Sequence, residues 1–326
     1  MSKLTMIEAL NLALKQEMEK DDMVVVLGED VAVDGGVFRV TDGLLEAFGE
    51  KRVIDTPLAE SAIVGASIGM AACGLKPVCE IQFSGFSYMT IHQLENHAAR
   101  LRGRSCGRFH VPLVLRTPYG AGVRALEHHS ESKEIYYAHT PGLKMVIPSS
   151  PRNARALLVS AIRDPDPVIF YESKANYRAF REEVPDEEES QPIGKAEVVR
   201  EGKDLTVISY GAMLRRSLEA ASQLEQEDGV SAEVIDLLTL SPMDDACFCD
   251  SLEKTGRVVV VHEAHRSFGA GAEIIARLME NSLLYLEAPV GRATGFDCTV
   301  PLYAREQAYL PGVDRIVRIC RETLSF

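Results

Sequence analysis

The chain has 326 residues, of which 46% are hydrophobic and 25% are charged, and its formal net charge is −13 at neutral pH. This length suggests two domains, each large enough to bury its own core. The acidic excess argues against nucleic acid or an anionic membrane as a partner, because both surfaces repel negative charge. The seven cysteines are scattered and odd in number, so we expect no disulfide framework, only reduced and mostly buried thiols.

The N-terminal segment predicts a helix, a strand and an acidic loop. Residues 5–20 form an amphipathic pattern, with Thr5 as N-cap and Glu8 completing a capping box. No signal-peptide pattern precedes it, so we expect a cytoplasmic protein. Residues 23–27 are continuously apolar, as in a buried parallel strand. Glu29 follows at its carboxyl end, where open α/β sheets carry functional loops, although an acidic turn explains it equally well.

Residues 55–86, DTPLAESAIVGASIGMAACGLKPVCEIQFSGF, are the stretch around which the chain is organised. The small and apolar run at 62–72 predicts a buried helix, because it is too short and too glycine-rich to span a membrane. Gly74 ends this helix. Lys76-Pro77 predicts a turn, and residues 78–83 predict a strand.

Glu60 lies at the mouth of this apolar helix, and an aromatic loop carrying Phe83 and Phe86 returns nearby. A carboxylate in a first helical turn is favourable to the helix dipole by roughly 0.3–1 kcal/mol and needs no function. The residues alone therefore leave a structural and a functional interpretation of Glu60 open.

The rest of the first half alternates strands with helices, which predicts a doubly wound, mainly parallel sheet. The predicted helices are 41–48, 87–99 and 151–163, and the predicted strands are 53–54, 112–116, 143–147 and 168–171. His128 and His129 follow a glycine-rich loop, and adjacent side chains point in different directions, so the two rarely share a metal. Either of them in a cleft could transfer a proton near neutral pH.

An acidic, proline-containing segment at 182–190 (EEVPDEEES) is typical of a linker. We predict a first domain at 1–185, a linker at 186–198 and a second domain at 199–326. The second half repeats the alternation with strands at 205–211, 232–240 and 257–265 and helices at 213–227, 244–254 and 272–281. Its HEAHRSFGAGAE motif has the character of a ligand loop, but we assign no catalyst there.

TPLAE, the glycine- and alanine-rich helix and GLKPVCEIQFSGF together resemble the β subunit of thiamine diphosphate-dependent 2-oxo acid dehydrogenases, the decarboxylating first component of those complexes. The resemblance covers nearly the whole chain. It continues through RTPYGAGVRALEHHSES (116–132), HTPGLKMVIPSSP (139–151), DPDPVIFYESK (164–174), LEAPVGRATGFD (286–297) and YLPGVDRI (309–316). It implies an α/β fold of two doubly wound domains, a pyrimidine-binding domain like that of transketolase and a transketolase-like C-terminal domain.

The resemblance also implies which residues form the site. Glu60 matches the glutamate that hydrogen-bonds N1′ of the cofactor pyrimidine, a role that needs a dry environment. Phe86, and with less support Phe83, would stack on that ring, and Glu29 would lie at the cofactor cleft. His129 would supply a proton or hold the lipoyl arm during acyl transfer.

Two further roles follow from the resemblance alone. His128 is a second candidate lining residue of the same site. A potassium ion would bind mainly through backbone oxygens, and the positions that match this site are Leu113, Ala161, Ile162, Asp164 and Asp166.

The GDG motif that holds magnesium and the diphosphate in thiamine enzymes is absent from the sequence. The chain therefore carries the pyrimidine half of a site and needs an α subunit, in a heterotetramer of two α and two β chains that acts with a dihydrolipoyl acyltransferase. Pyruvate is the favoured substrate, with branched-chain 2-oxo acids or acetoin as alternatives. Two other functions stay open: a transketolase-like fragment acting on sugar phosphates, and a non-catalytic assembly subunit that docks the second component.

Overall fold

The computed structural model describes residues 2–326, which fold around two large sheets. The strands are β1 (Ser2–Leu4), β2 (Val24–Gly28), β3 (Val53–Asp55), β4 (Lys76–Glu80), β5 (Val114–Tyr119), β6 (Lys144–Val146), β7 (Val168–Ser173), β8 (Glu182–Val184), β9 (Glu197–Arg200), β10 (Leu205–Ser209), β11 (Ala232–Asp236), β12 (Thr239–Ser241), β13 (Val258–His262) and β14 (Gly291–Thr294).

The α-helices flank these sheets. They are α1 (Met6–Lys20), α2 (Leu44–Phe48), α3 (Glu60–Ala72), α4 (Ile91–Gln93), α5 (Ala99–Arg104), α6 (Glu134–Ala138), α7 (Pro151–Arg163), α8 (Ala212–Asp228), α9 (Asp245–Thr255), α10 (Ala270–Ser282), α11 (Glu306–Tyr309) and α12 (Val313–Leu324). Within the described part of the chain, no helix has the length and apolar character needed to cross a membrane.

The first large sheet has seven strands in the order β12-β6-β7-β5-β4-β2-β3. All neighbours pair in parallel except β12, which is antiparallel to β6. Its central strands are buried on both faces, which explains their continuous apolar sequences. The expected doubly wound α/β architecture is therefore confirmed for this half.

The second large sheet has five strands in the order β14-β13-β10-β11-β9, parallel except for β9. Helices α8 and α12 pack against each other beside it. The predicted strand 232–240 divides at Leu237 and Leu238, where Leu238 adopts a positive φ of 57°. Its first part is β11 in this sheet, and its second part, β12, joins the seven-stranded sheet. The chain thus crosses from one sheet to the other between β11 and β12, and the predicted domain limits stay a prediction.

Local predictions were mostly confirmed, with two corrections. Thr5 caps α1 and forms the capping box with Glu8. Lys76-Pro77 is not a turn but the start of β4, where Pro77 pairs with Val25. The predicted helix 87–99 is a succession of 3₁₀, α and π turns that ends at Arg104.

The cysteine prediction is also corrected in one respect. All seven thiols are free, as expected, but they are not mostly buried. Cys79, Cys249 and Cys320 lie in the core, Cys247 is half-buried, and Cys73, Cys106 and Cys298 are exposed. Composition predicts that the cysteines are reduced, but it does not say on which face of a helix or strand each thiol lies.

Candidate active site

The sheet order brings the predicted site residues into one row. Strands β3, β2, β4, β5 and β7 lie side by side, and each ends at the same edge because they run in parallel. The segments after them carry Glu60, Glu29, Phe86, His129 and Lys174 in that order. Residues far apart in sequence therefore meet at one edge of the sheet.

Glu60 and Glu29 form the carboxylate end of this row. Glu60 is the first residue of α3 and is half-buried, and no side chain caps the helix before it. Burial raises the pKa of Glu29 above its ordinary value, and the negative charges of Asp30 and Glu60 raise it further. Two carboxylates near one another favour retention of a proton on one of them.

Three rings form an aromatic cluster beside these carboxylates. The centroids of Phe83 and His129 are 4.1 Å apart and those of Phe86 and His129 are 5.4 Å apart, both in edge-to-face geometry. Phe83 and Phe86 also contact each other edge to face at 5.8 Å. The structure thus brings both predicted phenylalanines to the predicted histidine.

His129 differs from its neighbour His128. Its Nδ1 is buried and has no hydrogen-bond partner among residues 2–326. Burial lowers the pKa of His129, the positive charges of Lys174 and His128 lower it further, and Glu127 opposes them. His128 is exposed, with its Nδ1 3.4 Å from Glu127. His129 is therefore the member of the pair that the cluster holds.

The two loops that carry the rings are bonded to each other. The backbone carbonyl of Glu131 accepts hydrogen bonds from Ser84 Oγ at 2.7 Å and from the Gly120 amide at 3.0 Å. A Cβ at Gly85 would lie 1.8 Å from the carbonyl oxygen of His128, so only glycine allows this approach. The sequence analysis did not single out Ser84, Gly85 or Glu131, because their partners are distant in the chain.

A buried ion cluster lies beneath the site. Arg116 in β5 donates to both carboxylate oxygens of Glu172 at 2.7 and 2.9 Å and to Glu80 at 2.9 Å. Tyr177 donates to Glu172 at 2.6 Å. Burial raises the pKa of Glu80, while the charge of Arg116 opposes that shift. Charged residues inside apolar strands are the sequence signal that would have revealed this cluster.

Two buried carboxylates lie where the two sheet units meet. Glu263, which follows β13, accepts a hydrogen bond from the Ala121 amide at 3.1 Å, and burial raises its pKa to about 7. Glu134 accepts a hydrogen bond from Tyr210 at 2.8 Å, and burial raises its pKa also. The HEAH motif contains Glu263, but its contact with the first unit is a product of the tertiary structure.

At the predicted potassium position, the carboxylates already have partners. Asp164 lies 2.5 Å from Lys144 Nζ, and Asp166 lies 2.5 Å from Arg102. The carbonyls of Leu113 and Ala161 each accept one backbone hydrogen bond, which leaves each a second lone pair. Among residues 2–326, no group of three or more histidine, cysteine or acidic side chains is arranged to hold a metal ion. Any ion here would thus depend on backbone oxygens.

Comparison with known proteins agrees with this architecture. The model of the transketolase pyrimidine-binding domain matches residues 2–179, and that of the transketolase C-terminal domain matches residues 194–316. The chain also superposes on a split-gene transketolase described as an inactive β4 tetramer, with a TM-score of 0.82, 21% identity and 99% coverage of both chains. A transketolase from Leishmania mexicana gives a TM-score of 0.73 at 14% identity, and the match spans 46% of that chain.

Together these matches define a transketolase-type chain with one pyrimidine-binding and one C-terminal domain. The protein named pyruvate dehydrogenase E1 component subunit beta in Acholeplasma laidlawii is 51% identical over 322 residues, covering 99% of this chain and 98% of that one. The protein of the same name in Staphylococcus epidermidis is 50% identical over the full length of both chains. The chain belongs to the family of pyruvate dehydrogenase E1 β subunits, and the predicted resemblance is confirmed.

Proposed function

We propose that this chain is the β subunit of a pyruvate dehydrogenase. With an α subunit it would catalyse the thiamine diphosphate-dependent oxidative decarboxylation of pyruvate and pass the acyl group to lipoyl groups of a dihydrolipoyl acyltransferase. The observation that carries the proposal is the row of Glu60, Glu29, Phe86 and His129 along one sheet edge. The names of full-length relatives favour pyruvate over branched-chain 2-oxo acids or acetoin.

The donor set fits the pyrimidine half of thiamine diphosphate. That cofactor, when bound, supplies the electron sink for carbon–carbon cleavage. Glu60 would hold a proton at N1′ of the ring. Glu29 lies beside it in the row, and burial and the charges of Asp30 and Glu60 raise the pKa of Glu29. Phe86, with Phe83 behind it, offers an apolar surface on which the ring can stack.

His129 would serve the acyl-transfer step. Its lowered pKa favours the neutral imidazole at pH 7, which has one nitrogen that donates and one that accepts a proton. A lipoyl arm that reaches the row would meet this ring beside Phe83 and Phe86. His128 would line the entrance, since it is exposed on the same turn.

An α subunit would complete the site. Glu60 is only half-buried in this chain, and the large side chains of Leu58 and Met89 near it are 69% and 52% exposed. Ser61 bonds the carbonyl of Met89, so these residues belong to one surface. A covering chain would bury that surface and dry Glu60. The GDG motif absent here would come from the same α subunit, with its magnesium and diphosphate site, in a heterotetramer of two α and two β chains.

Calorimetric titration tests this division of the site. Thiamine diphosphate with magnesium is titrated into the chain alone, into the α subunit alone and into their mixture. We expect binding in the mixture and none in the isolated β chain. Tight binding to the isolated β chain would contradict the divided site, and no binding in any sample would favour a non-catalytic assembly subunit.

We also propose a potassium ion near the end of α7. Backbone oxygens of Leu113, Ala161 and Ile162 would supply most ligands, because Asp164 and Asp166 are paired with cations. An ion that binds only the folded state raises its stability. We expect a higher melting temperature in KCl than in NaCl at equal ionic strength, whereas identical melting curves would exclude specific binding. The cytoplasmic location also stays a prediction.

A further inference from the structure

Lys174 is a buried cation that none of the roles above uses. It follows the carboxyl end of β7 and opens the 3₁₀ turn Lys174–Asn176. The residue is 4% exposed, and its Nζ has no hydrogen-bond partner within residues 2–326. Nζ lies 5.3 Å from the centroid of the Phe83 ring. A buried ammonium is costly unless other groups compensate its charge.

Two carboxylates from the second sheet unit provide that compensation. Burial lowers the pKa of Lys174 to about 8, and the charges of Glu263 and Glu306 oppose the shift. The ammonium form therefore still predominates at pH 7. Both carboxylates are held in place by the segment after β5: Glu263 accepts from the Ala121 amide, and Glu306 accepts from the Arg124 amide at 3.0 and 3.1 Å.

The same segment leads to His129, whose ring contacts Phe83 at 4.1 Å. Phe83 is thus a neighbour of both Lys174 and His129. The other charged groups that act on His129 are His128 and Glu127, both on its own turn. The loop after β4, which packs against His129, presents only the uncharged rings of Phe83 and Phe86 to it. Lys174 is therefore the cation that the rest of the fold brings to His129.

We propose that Lys174 is a positioning residue for His129: its ammonium group, which lies over the Phe83 ring, disfavours the imidazolium form and keeps His129 neutral for acyl transfer. This inference rests on the proposed role of His129. Lys174 is too deeply buried to touch the lipoyl arm, so it acts through the histidine.

The experiment uses the α/β holoenzyme with thiamine diphosphate and magnesium, pyruvate, and an isolated lipoyl domain as acceptor. The variants are Lys174→Met, Lys174→Gln and Lys174→Arg. Lys133→Met is the matched control, because Lys133 also lies over an aromatic ring, that of Tyr136 at 5.6 Å. Acylation of the lipoyl domain is followed as a function of pH, and the pKa of His129 is measured by hydrogen–deuterium exchange at its C2 position.

In Lys174→Met and Lys174→Gln we expect the acidic limb of acyl transfer and the pKa of His129 to rise together, because a positive charge that disfavours the imidazolium form has been removed. Lys174→Arg and Lys133→Met should retain the wild-type profile. If Lys174 had only a structural role, its substitution would lower the rate of acyl transfer at every pH and would leave the acidic limb of the profile at the same pH.

Two results separate this proposal from the proposed function. Suppose that the acidic limb of the pH–rate profile does not move in Lys174→Met or Lys174→Gln, while His129→Ala still abolishes acyl transfer. The proposed role of Lys174 would then be wrong, and that of His129 would stand. Normal acyl transfer in His129→Ala would overturn the role of the histidine itself. If neither neutral variant folds, the wild-type titration decides: a pKa of His129 at or above its ordinary value of about 6.5 contradicts the proposal.

Discussion

Tyr210 donates its phenolic hydrogen to Glu134 at 2.8 Å, and this bond links the five-stranded unit to the seven-stranded one. Both side chains are buried, and the second oxygen of Glu134 has no partner within the described chain. Of the two carboxyl oxygens of Glu134, only the one that accepts from Tyr210 thus has a partner within the described chain. The contact of the two units depends in part on this pair.

Replacing Tyr210 with phenylalanine should leave the carboxyl of Glu134 wholly without a partner. We expect the free energy of unfolding to fall by about 1–3 kcal/mol, the cost of an unsatisfied buried polar group. Urea denaturation of the full chain measures the change. Tyr285→Phe is the control, because Tyr285 is exposed and loses no buried bond. Equal effects of the two substitutions would show that the bond contributes nothing specific.

Glu60→Gln should abolish decarboxylation in the α/β holoenzyme while the chain stays folded. Glutamine keeps the shape but cannot hold the proton that the proposed contact with N1′ requires. Because Glu60 lies at the half-buried start of α3, the stability change should stay within about 1 kcal/mol. The assay is pyruvate decarboxylation with an artificial electron acceptor. Glu46→Gln is the control, since Glu46 is an exposed glutamate in the first turn of α2. Wild-type turnover by Glu60→Gln would contradict the role assigned to Glu60.

Arg116→Met should destabilise the chain by about 3–5 kcal/mol, because it leaves two buried carboxylates without their cation. Arg318→Met provides the contrast. Arg318 is exposed and lies 3.8 Å from Glu322, an ion pair of the surface type that contributes about 0–1 kcal/mol. Chemical denaturation of both variants measures the difference, and a loss of stability at Arg116 no larger than that at Arg318 would contradict the prediction.

Asp236 should make stability decrease as pH rises. Burial raises its pKa to about 8 in the folded chain, whereas in the unfolded chain it ionises near pH 4. Between these two pH values, Asp236 has lost its proton in the unfolded state but keeps it in the folded state. The contribution of Asp236 to the free energy of unfolding therefore falls by up to about 1.4 kcal/mol for each unit by which the pH rises.

The variant Asp236→Asn removes this titration and can still accept the hydrogen bond from Ser149. Denaturation at pH 5, 6, 7 and 8 should show that wild type loses more stability than Asp236→Asn across that range. Asp250→Asn, at an exposed position, should follow wild type. Parallel curves for wild type and Asp236→Asn would contradict the prediction.

Much of the local structure could be predicted because its causes are local. Helix α7 was predicted at its observed limits, since Ser150 caps it and Pro151 occupies its first turn. The prediction of a turn at Lys76-Pro77 was wrong for an equally local reason. Proline usually interrupts a strand, but Pro77 lies at the start of β4, where a strand tolerates it. The candidate site residues were predicted through resemblance, because a glutamate or histidine alone has many structural explanations.

The sequence by itself determined the alternation of strands and helices and the family, whereas the residues of the pyrimidine half-site stay a prediction. Each depends on periodicity or on short motifs that neighbours along the chain define. Only the tertiary structure decided that Lys174 would lie over the Phe83 ring and that Glu263 would reach Ala121. These contacts join segments that are distant in sequence, and no pattern along the chain shows them, because they depend on the order of the parallel strands in the sheets.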